Sequence, residues 1–188
     1  QYYRKENTVV GDGFLTITAK KENFNGYEYT SSRLTTQGKR YFRYGRVDIR
    51  AALPKGKGLW PALWMLGENI SSVGWPRCGE IDIMEMVGGT SGMYSNSTIY
   101  GTVHWFADQK VDHGGTSILS SGDYSQEFHV FSIIWGEKEI RWLRDDNEYF
   151  SIDISESHMT EFHDAFFFIF NVAVGGKWPG SPNSSTVF

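Results

Sequence analysis

The chain has 188 residues and a formal net charge of −4, enough for one domain with a sizeable core. No long basic run offers a nucleic-acid footprint, and no run of about 18 apolar residues offers a membrane span. Cys78 is the only cysteine, so no internal disulfide is possible. No His lies close to it in sequence to activate it, and it reads as a packed or half-buried thiol.

The dominant local pattern, in chain order, is strand. Residues 14–19 alternate apolar and small polar side chains, and residues 46–51 alternate cleanly. Residues 98–105 are β-branched and aromatic, and residues 128–135 continue the theme. Residues 140–149 read as a hairpin around Asp145-Asp146-Asn147. Residues 155–163 are predicted to form a helical turn or two behind a Ser cap. Residues 166–174 are almost all apolar and read as a central strand. No linker, low-complexity tract or solenoid-period repeat interrupts this series, which predicts one all-β domain. Many short strands separated by turns point to a β-sandwich or jelly roll, with a concave cleft along which a polymer can lie. The 7 Trp, 10 Tyr and 13 Phe partly serve such a core. The excess of Trp and Tyr also suits carbohydrate, whose C–H face stacks on an indole. Asn69, Asn96 and Asn183 open glycosylation sequons that carry meaning only in a eukaryotic secretory host.

The informative segment is Gly79-Glu80-Ile81-Asp82-Ile83-Met84-Glu85-Met86. On a regular strand Glu80 and Asp82 share one face, Ile81 and Ile83 the other, and Glu85 falls opposite the first two acids. A β-bulge at or near Met84 would return Glu85 to their face. Three clustered carboxylates repel, so burying them without a purpose is costly. Glycoside hydrolysis has a use for that tension. It needs one ionised carboxylate and one protonated carboxyl, about 5–5.5 Å apart for retention of configuration. Asp82 could bond one Glu and hold up the proton affinity of the other. An acidic strand facing water, or calcium binding, is the plainer alternative; the segment lacks the glycine and carbonyl pattern of a calcium loop. The five His residues form no His-x-His or His-Glu-x-x-His pattern, so catalytic zinc is not expected. Gly56-Lys57-Gly58 lacks phosphate-loop spacing.

Gly79 to Glu85 resembles the bulged active-site signature of glycoside hydrolase family 16. The flanks Tyr44-Gly45-Arg46-Val47-Asp48-Ile49-Arg50, Gly58-Leu59-Trp60-Pro61-Ala62-Leu63-Trp64-Met65-Leu66-Gly67, Tyr100-Gly101-Thr102-Val103-His104 and Asn171-Val172-Ala173-Val174-Gly175-Gly176-Lys177-Trp178-Pro179-Gly180 resemble its laminarinase branch. The resemblance implies Glu80 as nucleophile, Glu85 as acid/base and Asp82 as the assisting carboxylate. It implies His104 as support for the acid/base region, and Trp60, Trp64 and Trp75 as cleft aromatics. Arg33, Asn171 and Trp178 match further substrate-binding positions. The implied activity is retaining cleavage of internal β-1,3-glucosidic bonds. A mixed-linkage β-1,3-1,4-glucanase and a non-catalytic β-glucan-binding sandwich stand as alternatives. No cofactor or catalytic metal is implied. The family's frequent structural calcium uses residues near the termini and finds no support in this chain. The reading is one catalytic domain over residues 1–188, lacking the family's first and last segments. It is expected to be a monomer whose partner is a β-glucan, with no nucleic-acid or membrane partner. No signal-peptide pattern opens the chain, so an extracellular or cell-surface location is expected from the substrate.

Overall fold

The computed structural model describes residues 1–188, the side chain of Ser91 excepted. The first third holds β1 (Tyr2–Tyr3), β2 (Thr8–Gly11), β3 (Phe14–Ile17), β4 (Lys20–Phe24), β5 (Tyr27–Ser31), β6 (Arg33–Thr35) and β7 (Gly45–Ala51). Then come β8 (Leu59–Gly67), the one-turn helix α1 (Ile70–Val73), β9 (Glu80–Glu85), β10 (Thr90–Ser91) and β11 (Tyr94–Ser95). The remainder is β12 (Thr98–Ala107), β13 (Gln109–Ile118), β14 (His129–Trp135), β15 (Glu139–Arg144), β16 (Asn147–Asp153) and β17 (Phe166–Val174).

Two antiparallel sheets make a β-sandwich of the jelly-roll type. One has the order β13-β12-β9-β8-β17-β6, the other β16-β15-β14-β7. Period-two alternation explains why they pack. Met65, Ile81, Ile83, Met84, Ile99 and Val103 from the first sheet meet Phe131, Ile133, Trp135, Ile140 and Trp142 from the second in one buried cluster. The run of residues 166–174 is apolar because both of its faces are covered. Phe166 joins the inter-sheet core, while Phe167 and Ile169 join Leu66 and Cys78 on the other side. Cys78 is fully buried, and burial pushes its thiol up to about 11.

The predicted hairpin is present. Asp145 and Asp146 both hold positive φ, 49° and 61°, as a two-residue turn that follows strand twist requires. The helical turn or two predicted within residues 155–163 is present only in part. Only Thr160–His163 winds, as a 3₁₀ turn, and no side chain caps it. The Ser155 N–H is taken by the Asp153 carboxylate at 2.8 Å, and buried Met159 and Phe162 pin the segment against the sandwich. The strand expected over residues 14–19 ends at Ile17.

Candidate active site

The site lies on the face of the six-stranded sheet that points away from the inter-sheet core. On β8, Leu63 pairs with Met84 and Trp64 with Asp82, which leaves Ile83 as the extra residue. On β12, Gly101 alone fills the interval between Tyr100, opposite Glu85, and Thr102, opposite Asp82. The predicted bulge therefore sits at residues 83–84. It sends both Ile83 and Met84 into the core and returns Glu85 to the side of Glu80 and Asp82.

Each acid has a defined partner. Trp75 Nε1 donates to Glu80 Oε2 at 2.6 Å, and Trp60 Nε1 donates to Glu85 Oε1 at 2.9 Å. Asp82 is 2% exposed; it shares a hydrogen bond with Glu80 and meets His104 Nε2 at 3.0 Å. His104 Nε2 also lies 3.9 Å from Glu80 Oε1. His104 Nδ1 is buried without a partner among the described residues, and Nε2 is read as bearing the proton that faces Asp82. His104 thus supports the Glu80–Asp82 pair, whereas the sequence reading put it by Glu85. Strand register decides this: His104 stands opposite Glu80, and Tyr100 stands opposite Glu85. Glu80, Asp82 and His104 bring donor atoms within 4.8 Å of one another, a group that could hold a cation. Those atoms already satisfy each other and the Trp75 N–H, so the group reads as a hydrogen-bonded chain.

The wall of the cleft comes from distant segments. Trp64 Nε1 donates to Asn171 Oδ1 at 2.8 Å, and the Arg33 guanidinium lies 4.8 Å from the centre of the Trp64 ring. Trp178 meets Trp60 edge-on at 5.2 Å and lies 5.4 Å from the Tyr100 ring. A cavity of about 210 Å³ is lined by Arg33, Trp60, Trp64, Glu80, Asp82, Glu85 and Asn171, together with Tyr3, Ala62 and Ala173. All ten residues singled out in the sequence converge on this region. Tyr3, Ala62 and Ala173 escaped that reading. The two alanines were within reach of it, since each is two positions from a site residue on its strand. Tyr3 gave no signal, because it sits on a two-residue strand of a separate sheet. Lys110 was missed too; its amine lies 5.2 Å from the Trp75 ring.

A family model for glycosyl hydrolases family 16 matches residues 1–187. The chain belongs to glycosyl hydrolase family 16. It is 42% identical to a beta-glucanase of Rhodothermus marinus and 36% identical to the clotting factor G alpha subunit of Tachypleus tridentatus, in each case over 96% of this chain. It spans 66% of the first relative and 26% of the second. The laminarinase catalytic domain of Thermotoga maritima superimposes with a TM-score of 0.86 at 45% identity, covering 99% of this chain and 76% of that one.

Burial governs ionisation in this family 16 site. It raises all three carboxyls above their ordinary range, Asp82 and Glu85 most strongly. For Asp82 the neighbouring charge of Glu80 adds to burial, and for Glu85 that of Asp82 does. Glu80 is pulled back by His104, by the Trp75 N–H and by the bond from Asp82. The balance leaves the proton of the coupled pair on Asp82, which donates it to Glu80. Burial favours the neutral form of Glu85 as well. The site therefore offers one carboxyl whose ionised form donors favour and one whose neutral form burial favours, both facing the same cavity.

This arrangement has a stability signature. A carboxyl with a raised folded value binds its proton more tightly folded than unfolded. Its stabilising contribution is complete below the ordinary value of 4.5 and is lost as pH rises through the folded value. Glu85→Gln removes that loss. Thermal melts should show the variant gaining on the parent as pH rises from about 4.5 to 8. A constant difference across that range would mean that Glu85 does not titrate in a buried setting.

Proposed function

We propose that this chain is a retaining endo-β-1,3-glucanase acting on laminarin-type glucans. The observation that carries the reading is the division of labour on one strand face. Glu80 accepts the Trp75 N–H and is drawn toward its ionised form by His104, Trp75 and Asp82, whereas Glu85 is 8% exposed and burial raises its proton affinity well above the ordinary carboxylate range. In the first step Glu80 attacks the anomeric carbon and the glycosidic C–O bond breaks. The departing oxygen takes the Glu85 proton. In the second step Glu85, now a carboxylate, takes a proton from water. That water oxygen attacks the anomeric carbon and releases Glu80. The sum is one glucosidic bond hydrolysed by one water, with two inversions giving net retention. Asp82 and His104 hold Glu80 in place. Trp60, Trp64 and Trp75 offer ring faces to successive sugars, with Arg33 and Asn171 fixing the Trp64 side.

The β-1,3 linkage is supported by the likeness to the laminarinase catalytic domain of Thermotoga maritima, 45% identical over 99% of this chain. A glucan polymer is met outside the cell, so the enzyme acts in the extracellular space or at the cell surface. The test is to incubate the protein with laminarin and with barley mixed-linkage glucan and count new reducing ends. Laminarin should be cut faster, with chain length falling well ahead of any accumulation of glucose. Faster cleavage of the barley glucan would move the assignment to the mixed-linkage enzymes. Binding of both glucans without new ends would leave a glucan-binding sandwich.

A further inference from the structure

Trp178, which packs on the cleft's Trp60, also lines a second cavity of about 560 Å³. Its position follows from the sheet. β8 and β17 run antiparallel with Leu59 opposite Val174, so the segment before β8 and the segment after β17 emerge at the same end. The Gly175 N–H ties them together by donating to the Gly58 carbonyl at 2.8 Å. The first segment carries Lys57 and the second carries Lys177, and both side chains line this cavity. Trp178 and Tyr94 add aromatic surface; Thr90 and Asn183 add hydrogen-bonding groups. No carboxylate lines the cavity, and neither lysine has an ion-pair partner among the described residues. Two ammonium groups therefore stand unbalanced at one end of a cleft whose centre holds three acids, in a chain of net charge −4.

A neutral glucan presents only hydroxyls to those lysines. They are matched better by a formal negative charge on the polymer, because an anion adds direct charge–charge attraction to the hydrogen bond that a neutral hydroxyl can also accept. Trp178 makes the connection to the reacting centre. Its ring lines this cavity and packs edge-on against Trp60, which bonds Glu85. A chain threaded past Glu85 can stack a sugar on Trp178 and deliver that sugar's substituent to the lysines.

We propose that this end of the cleft binds an anionic substituent, a carboxylate or a sulfate ester, carried by the glucan chain, so that the enzyme prefers acidic β-glucans over neutral ones. The inference rests on the reading that a glucan lies in the cleft.

The experiment is equilibrium binding by calorimetry, in a Glu80→Gln background so that no chain is cut. The probes are β-1,3-gluco-oligosaccharides of equal length: neutral, carboxymethylated and sulfated. At low salt the charged probes should bind about tenfold tighter than the neutral one, and added salt should erase the difference. The ratio should fall to about one in Lys57→Gln/Lys177→Gln and survive in Lys57→Arg/Lys177→Arg, which keeps both charges. Tighter binding of only one charged probe identifies the substituent as carboxylate or as sulfate. Equal binding of all three probes, or a preference that persists in the double Gln variant, overturns the inference. It leaves the glucanase reading standing. Failure to bind even the neutral probe would instead sink the glucan reading of the cleft.

Discussion

Glu80→Ala and Glu85→Ala should each cut turnover on laminarin, the first by about 10⁴-fold or more and the second by about 10²–10⁴-fold. The two losses should differ in kind. Removing Glu85 takes away the proton for the leaving oxygen, so an aryl β-glucoside with a good leaving group should still form the glycosyl-enzyme. Removing Glu80 takes away the covalent partner, and no leaving group restores that. Azide makes the contrast visible, because it can enter the space vacated by either carboxylate. In Glu85→Ala it attacks the glycosyl-enzyme from the face opposite Glu80 and yields a β-glycosyl azide. In Glu80→Ala it attacks the intact substrate from the Glu80 side and yields an α-glycosyl azide. Proton magnetic resonance reads the configuration directly. Azides of the same configuration from both variants would refute the assignment of roles. Full activity in either variant would remove that residue from the chemistry.

Trp142→Ala should cost about 3–5 kcal/mol and lower the melting temperature by about 10 °C. Trp142 sits on the opposite sheet and is fully buried, 4.8 Å from the Phe150 ring. Its Nε1 crosses the sandwich to donate to the Asp82 carbonyl at 2.8 Å. It occupies the space left by Gly101, the residue facing the bulge: a methyl group at Gly101 would stand 2.4 Å from the Trp142 ring and 2.8 Å from the Tyr149 hydroxyl. Truncation therefore opens a cavity directly behind β9, the strand that carries the three acids, and strips a buried carbonyl of its donor. Trp142→Phe keeps much of the volume and loses only the bond, so its melting temperature should fall less while glucan cleavage weakens through a looser Asp82. Calorimetric melts and initial rates on laminarin check both. A shift of under about 2 °C for Trp142→Ala would mean that the bulge does not rest on this indole.

Much of this was legible before any coordinates. The interleaved acids and apolar residues of segment 79–86 required a bulge, because a period of two cannot place Glu80, Asp82 and Glu85 on one face without an extra residue. The same alternation marked β7, β-branched and aromatic runs marked β12 and β14, a nearly unbroken apolar run marked β17, and the two aspartates marked the hairpin turn. The helix over residues 155–163 was overdrawn, because a Ser at its start suggested a cap while the Asp153 carboxylate took the Ser155 N–H. A cap is a choice between competing groups in space, which the local sequence does not settle.

The amino-acid order by itself determined which face of which strand carries the acids, since side-chain alternation is a local property of the backbone. Tertiary structure alone decided which acid each donor serves. His104 belongs to Asp82 and Glu80 because of the register between β12 and β9, and Trp60 reaches Glu85 from 25 positions away. It also placed Asn171 beside Trp64, 107 positions apart, and brought Lys57 and Lys177 to one cavity. These pairings depend on how non-adjacent strands align, and no local pattern encodes that alignment.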